Sequence, residues 1–309
     1  MNAALSATAL HVALLISLPP LLPGVIGKTK AWFAGRQGPP LLQTYRDVLK
    51  CWRKAAVYSA STTWIFRAGP IVSLATAVTA GLLVPLAGPY APLSFAGDVI
   101  LFAYLLGLGR FAIAAAALDT GSSFEGMGAS REVAFAALAE PVLFLVLAVL
   151  ALESGELSFS AAFQTLAHAP RSGYTAALPL AALALFAVIL TENSRVPVDD
   201  PATHLELTMI HEVMVLDHGG PDLGIVYYAS AIKLFVLSTV AVHVLVPAGS
   251  LPPVSSAAAV ALGTIAIAVL IGIVESTMAR LRLPRVPQFI IAAAVLAATS
   301  LTIVLSGGS

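Results

Sequence analysis

The sequence contains few charges and almost no cysteine. Only 10% of its 309 residues are charged and 59% are hydrophobic, whereas soluble domains carry roughly 25% charged residues. A water-soluble globular fold is therefore excluded. The single cysteine, Cys51, excludes an internal disulfide framework and an iron–sulfur cluster held by four thiolates of this chain. We expect the chain to contain no cofactor of its own.

Signals for nucleic-acid binding and for catalysis are also missing. The 16 basic and 16 acidic residues cancel, so no net charge attracts nucleic acid. The chain has no phosphate-binding glycine loop and no Gly-x-Ser-x-Gly motif. An enzyme that acts alone is therefore the least favoured class.

Eight apolar stretches are long enough for transmembrane helices, which need about 20 residues each. The first contains no Lys or Arg before residue 28, so we interpret it as a retained helix rather than a signal peptide. We predict an all-α integral membrane protein with about eight transmembrane helices in one domain, residues 1–309. The stretches lie near residues 3–26, 68–88, 97–118, 133–152, 174–191, 223–247, 256–279 and 287–306.

Basic residues are concentrated on one side of this predicted topology. Four loops, 27–67, 119–132, 192–222 and 280–286, hold 13 of the Lys and Arg residues. The other loops and both termini hold only Arg171. The positive-inside rule predicts that the four loops are cytoplasmic and that both termini lie on the outer side.

The first of these loops contains a basic amphipathic helix. Residues 27–67 include all three tryptophans, half of the basic residues and one acid, Asp47. Apolar residues recur at helical spacing over 41–52, with cations between them. Such a helix lies along lipid headgroups, so we predict an interfacial helix after the first span. The glycines and prolines at 35–40 predict tight turns. These turns equally favour a surface on which a soluble partner docks.

The loop 192–222 contains seven acids, three histidines and one arginine. Val215 stands where a zinc-protease motif beginning at His211 needs its second histidine, so that chemistry is excluded. Two interpretations remain open: a solvated loop, and a partly buried helix after Pro201 that forms part of a proton path. Burial and neighbouring charges can move carboxylate and imidazole pKa values toward neutral, and the apolar content of the loop favours the second interpretation.

Two charges lie deep in predicted spans. Lys233 lies about 15 Å into the sixth span, and Glu140 lies inside the fourth. A lone charge at such depth is costly and needs a partner or water, so we favour a functional role for both. Arg110, Asp119 and Glu275 lie nearer the cytoplasmic ends, where boundary charges are ordinary.

Several motifs resemble those of complex I. The pattern Glu192-x-x-Arg195-x-Pro-x-Asp199, followed by Glu206-Leu207, is similar to that of the complex I membrane subunit that adjoins the quinone cavity. A more exact resemblance covers most of the chain and is to the homologous membrane subunit of formate hydrogenlyase and hydrogenase-4 complexes. It is carried by the strings VPVDDPATHLELTM at 196–209, GPPLLQ at 38–43 and GMGASRE at 126–132.

The resemblance implies a non-catalytic subunit of the bacterial or archaeal cytoplasmic membrane. It would anchor a nickel–iron hydrogenase arm and link it to antiporter-like membrane subunits. The nickel–iron site and iron–sulfur clusters would belong to the hydrogenase large and small subunits and to a ferredoxin-like subunit. The implied proton path is Glu140, Glu192, Asp199, Glu206, Glu212 and Lys233, with Arg195 pairing to a carboxylate; the implied docking residues are Arg36, Gly38, Pro39, Asp47, Lys50, Arg131, His204 and His211.

Two other functions remain open. A complex I-like dehydrogenase would have a quinone site, although Ala55, Ala202 and His204 replace acids of the complex I relatives. A free-standing ion-coupled transporter would depend on Glu140 and Lys233. Transporters often contain matching repeats, and the two halves of this sequence do not match.

Overall fold

The computed structural model describes residues 2–168, 176–199, 209–246 and 251–307. The described part of the chain is 76% helical and contains no strand. The all-α prediction is therefore confirmed. The helices are α1 (Asn2–Ser17), α2 (Leu21–Phe33), α3 (Gln43–Trp52), α4 (Trp64–Leu83), α5 (Asp98–Asp119), α6 (Ser123–Ser154), α7 (Phe159–His168), α8 (Ala177–Glu192), α9 (His211–Met214), α10 (Gly220–Leu245), α11 (Pro253–Thr277) and α12 (Val286–Gly307), the last preceded by a 3-10 turn at Leu283–Arg285.

Six of the described helices are long and apolar enough to cross a membrane singly: α4, α5, α6, α10, α11 and α12 with its preceding turn. The segments Leu5–Ser17 and Leu21–Phe33, bent by 48°, form a seventh candidate as a pair. Helix α8 is apolar but only 16 residues long. The protein is thus a multi-pass membrane protein.

The fourth predicted span differs most from the structure. We predicted a span over 133–152 after a loop over 119–132, whereas α6 begins at Ser123 and continues to Ser154. The charged residues at 125–132 interrupt the apolar run from which the span was predicted. They do not interrupt the helix itself. Gly128 packs so closely on the short helix α9 that an added Cβ would lie 2.3 Å from the Val213 side chain.

The break between α1 and α2 coincides with Pro19-Pro20. Proline has no amide hydrogen, so carbonyls near the break lose their helical donors. Two tyrosines replace those donors: the Tyr228 hydroxyl donates to the Ile16 carbonyl at 2.7 Å, and the Tyr45 hydroxyl donates to the Ser17 carbonyl. These bonds connect the broken helix to α3 and α10.

After α2 the chain folds back along the same helix. An added Cβ at Gly24 would lie 2.0 Å from the Leu41 carbonyl oxygen, so the backbones are almost in contact there. Gly38 adopts φ +65° against Ala31, a conformation that glycine reaches without steric cost. The basic helix α3 then packs against α10, where Trp52 lies over Gly224.

Helix α10 lies at the centre of the bundle. It contacts α2, α3, α4, α8 and α11, and its apolar window has the largest buried share among the six single-helix spans. Any charged residue that points from α10 toward α4, α8 or the short α9 is consequently surrounded by protein. Lys233 is such a residue.

Candidate functional site: a buried charge cluster

Arg110 on α5 lies at the centre of a buried group of charges. Its Nη1 donates to Glu140 Oε1 at 2.7 Å, and its Nη2 donates to both carboxylate oxygens of Glu192, at 2.6 and 2.7 Å. Its Nε lies 3.9 Å from Glu132 Oε1. The Arg110 and Glu192 side chains are only 7% and 2% exposed. One guanidinium therefore contacts three carboxylates from two helices, α6 and α8.

A second cation completes this charge cluster, which we define as Arg110, Glu132, Glu140, Glu192 and Lys233. The Lys233 Nζ lies 3.9 Å from Glu192 Oε2, so four helices contribute to the group. Two cations face three carboxylates, and one negative charge is left without a matching cation. Isolated charge is disfavoured in a low-dielectric interior, so each buried charge of the cluster depends on its neighbours.

A small internal cavity adjoins the cluster. Its volume is about 40 Å³, and Arg110, Glu132, Lys233, His211 and Ser230 are among the residues that line it. A site needs roughly 10–15 Å³ to hold one water molecule and needs polar partners for it. The inner cavity meets both conditions.

Two further cavities continue from the inner one toward the surface. The middle cavity, about 140 Å³, shares His211 and Ser230 with the inner cavity. The outermost, about 450 Å³, shares Thr44 and Tyr227 with the middle cavity. The outermost cavity is lined by the α3 residues Asp47 and Lys50, among others. Three neighbouring cavities thus lie between the first loop and the charge cluster.

His211 stands between the inner and middle cavities. Burial lowers its pKa to about 4, and the charges of Lys233 and Arg195 act in the same direction. The imidazole is therefore neutral near pH 7, when it can donate through one nitrogen and accept through the other. Its side chain is only partly buried, and the docking role that we predicted for it stays a prediction.

Asp199 positions His211. Its Oδ2 accepts from the backbone amides of Ile210, at 3.0 Å, and His211, at 3.3 Å. Its Oδ1 lies 2.8 Å from Nη2 of Arg280. These contacts connect the start of α9 to the loop after α11, and the proton-path role that the resemblance implies for Asp199 stays a prediction.

Arg195 pairs with a carboxylate from α11. Its Nη1 lies 3.5 Å from Glu275 Oε1, while Lys30 Nζ lies 2.9 Å from Glu275 Oε2. Glu275, which we interpreted as a boundary charge, is a buried acid that joins α2, α11 and the loop after α8. Arg195, which lines the middle cavity, shares this carboxylate with Lys30.

The remaining predicted residues lie elsewhere in the chain. Glu206 and His204 lie outside the described residues. Glu212 lines the middle cavity, and Arg131 donates to the Met209 carbonyl at 3.1 Å. The predicted docking residues Arg36, Gly38, Pro39, Asp47 and Lys50 belong to the fold-back segment and α3.

Arg110 and Glu132 are the residues that sequence reasoning missed. Arg110 lies nine residues before the end of α5, about 13 Å from its last residue, which is comparable to the depth that made Lys233 notable. That depth was the available signal. Glu132 fell in a predicted loop, and only the extension of α6 by ten residues places it beside Arg110.

The fold and the cluster define a class: an all-α, multi-pass membrane protein with a cluster of charged side chains inside its helical bundle. The family described as NADH dehydrogenase matches residues 5–306, and the chain belongs to this family. In the part that the structure describes, no three His, Cys, Asp or Glu side chains are grouped so that they could hold a metal ion.

Comparison with individual proteins gives closer matches. The chain is 32% identical to formate hydrogenlyase subunit 4 of Escherichia coli K12 over 285 residues, 90% of this chain and 92% of that protein. It is 32% identical to hydrogenase-4 component C of the same organism over 276 residues, 87% and 86% of the two chains. A chain in the structure of the membrane-bound sulfane sulfur reductase, an archaeal respiratory membrane complex, has the same fold, with a TM-score of 0.84, 22% identity and coverage of 98% and 100%.

Proposed function

We propose that this chain is the membrane subunit of a complex I-like hydrogenase and that it conducts protons between a docked cytoplasmic arm and a neighbouring membrane subunit. The names of its two 32%-identical relatives support the first part. The charge cluster, reached through three adjoining cavities, is the observation that carries the second. The chain supplies the path, and the nickel–iron and iron–sulfur centres belong to its partners.

The path begins at the cytoplasmic loops and ends at Glu140. Protons enter the outermost cavity beside α3 and pass Tyr227 and the neutral His211. They then reach the carboxylates around Arg110. Water in the inner cavity and the carboxylate without a matching cation supply the intermediate positions.

Glu140 marks the exit toward a partner. Its side chain is 43% exposed, although it lies within a helix that crosses the membrane. A carboxylate that faced hydrocarbon would be costly, so a neighbouring protein covers this face. An antiporter-like membrane subunit is the partner that the function requires there.

The opposite end of the path carries the docking surface, which we define as the exposed part of residues 38–54 together with the loop before α10. The exposed fractions of Leu49 and Trp52 on α3 are 52% and 48%, and cations lie between them. This mixture suits a protein partner, for which we propose the hydrogenase small and large subunits and a ferredoxin-like subunit. The arrangement of eight spans, the position of α3 at the membrane interface and the outer location of both termini belong to the same proposal.

The test is neutralisation of the path in the assembled complex. We expect Glu140→Gln and Glu132→Gln to reduce hydrogen-linked proton movement by at least tenfold while the complex still co-purifies with a tag on this chain. Glu156→Gln is the matched control, because Glu156 is an exposed acid just after α6. Normal coupling in both cluster variants would contradict the proton path; failure of nickel–iron subunits to co-purify with the wild-type chain would contradict the hydrogenase assignment.

A quinone site is the second candidate function. The family description, NADH dehydrogenase, favours it, as does the opening of the middle cavity toward the larger outer one. The residues that distinguish the two functions, Ala202 and His204, lie outside the described residues. Inhibition of electron transfer by quinone-site ligands, together with bound quinone in the purified complex, would decide for this function.

A further inference from the structure

An open groove lies between α2 and α11, away from the three cavities of the proton path. Its volume is about 450 Å³. One wall is apolar, formed by Val269 and Ile273, and the side chains of Trp32 and Phe33 extend the apolar surface. Trp32 is 77% exposed, so nothing in the described part of the chain covers it.

The groove lies at the boundary of the hydrocarbon core. At 1.5 Å per residue, Val269 and Ile273 lie about 24 and 30 Å from the start of α11, and the core is about 30 Å thick. The first charged residue of α11 is Glu275, just beyond them. Tryptophan is enriched at this level, where acyl chains give way to headgroups.

Two cations line the groove and no acid does. Lys28 is exposed, and its Nζ donates to the Gln37 carbonyl at 2.7 Å, which holds the ammonium at the rim. Arg36 is exposed and makes no ion pair with any described residue. Lys30, by contrast, is compensated by Glu275 at 2.9 Å. The rim therefore has a positive charge that no described side chain neutralises.

We propose that this groove binds an anionic phospholipid. Lys28 and Arg36 hold the phosphate, and one acyl chain lies along Val269 and Ile273 beneath Trp32. Charge complementarity selects an anionic headgroup, and the apolar wall requires an attached acyl chain. The basic surface of α3 differs, because its Arg46 and Arg53 line a shallow pocket with Leu49 as the one apolar residue. Arg36 thus serves the membrane rather than the docking surface.

The experiment measures quenching of Trp32 fluorescence by lipids with brominated acyl chains. The full chain is reconstituted in phosphatidylcholine nanodiscs that contain a minor fraction of brominated phosphatidylglycerol or brominated phosphatidylcholine. The Trp32→Phe variant defines the part of the signal that belongs to Trp32. We expect phosphatidylglycerol to be preferred by about fivefold for each cation. Lys28→Gln/Arg36→Gln should abolish the preference, and the matched pair Arg46→Gln/Arg53→Gln should retain it.

Arg36→Gln alone keeps the test valid if the double variant is poorly folded, because Arg36 is exposed and its loss leaves the Lys28 hydrogen bond intact. A several-fold drop in preference supports the proposal. Equal quenching of the wild type by both lipids overturns it, as does an unchanged preference in the cation variants. If brominated phosphatidylglycerol cannot reach Trp32 in the intact complex, a helix of a neighbouring subunit fills the groove and the proposal is also overturned.

Discussion

Arg110 shows how one residue can hold several helices together in a membrane. A guanidinium has five N–H donors in a rigid plane, and this one uses two of its nitrogens on Glu140 and Glu192. Lysine would offer a single ammonium centre. The position therefore depends on the shape of the arginine as well as on its charge.

Removal of this side chain should be severely destabilising. Arg110→Gln leaves three carboxylates with only Lys233 as a counter-ion, and removal of one partner from a buried ion pair costs about 3–5 kcal/mol. We expect a markedly lower melting temperature in detergent, a smaller decrease for Arg110→Lys, and partial recovery in Arg110→Gln/Glu192→Gln. A wild-type melting temperature for Arg110→Gln would show that the cluster does not support the fold.

The sequence identified only part of this cluster. Scarcity of charge made Glu140 and Lys233 conspicuous, since any ionised group in an apolar span needs a partner. Scarcity does not specify the partner. Arg110 and Glu192 are 82 positions apart, and only the packing of α6 against both α5 and α8 brings them together.

At the scale of elements, the broken first span is the most informative feature. Its proline pair breaks the helix, but it does not determine where the chain goes afterwards. The fold-back of residues 34–42 depends on close backbone contact at Gly24, which has no side chain to prevent it. This contact positions α3, and with it the entrance to the three cavities.

A matched pair of glycines tests the fold-back. At Gly24 an added Cβ would lie 2.0 Å from the Leu41 carbonyl oxygen, whereas at Gly27, one turn later, its nearest contact is Pro39 Cγ at an ordinary 3.5 Å. We expect Gly24→Ala to reduce stability by about 1–3 kcal/mol, as overpacking does. Gly27→Ala should be neutral or stabilise by up to about 1 kcal/mol.

Melting temperatures of the two purified variants in the same detergent provide the measurement. Helix propensity alone predicts the same effect for both substitutions. An equal change in melting temperature would therefore contradict the close backbone contact at Gly24.

At the scale of the whole molecule, the number of membrane spans determines on which side of the membrane each later residue lies. From residue 96 to the C-terminus the chain passes through α5, α6, α8, α10, α11 and α12. If α8 crosses the membrane, residues 96 and 307 lie on the same side. If it does not, they lie on opposite sides, so one comparison decides between eight spans and seven.

Cysteine accessibility measures this directly. In a Cys51→Ser background, we expect a membrane-impermeant maleimide to label Ala96→Cys and Gly307→Cys from outside intact cells. It should label Ser59→Cys only in inverted vesicles, because the basic first loop is predicted to be cytoplasmic. The Cys51→Ser chain alone is the unlabelled control. Labelling of residues 96 and 307 from opposite sides would exclude a spanning α8.

The sequence by itself determined that this is a helical membrane protein, the approximate places of most spans and the concentration of basic residues in a few segments between them. These properties depend on the composition and length of local segments, which are the same whether or not the chain is folded. The tertiary structure decided that Arg110 is the centre of the charge cluster, that Asp199 positions His211 and that Glu140 reaches the outer face of α6. Such contacts join residues far apart in sequence, so they depend on the packing of neighbouring helices.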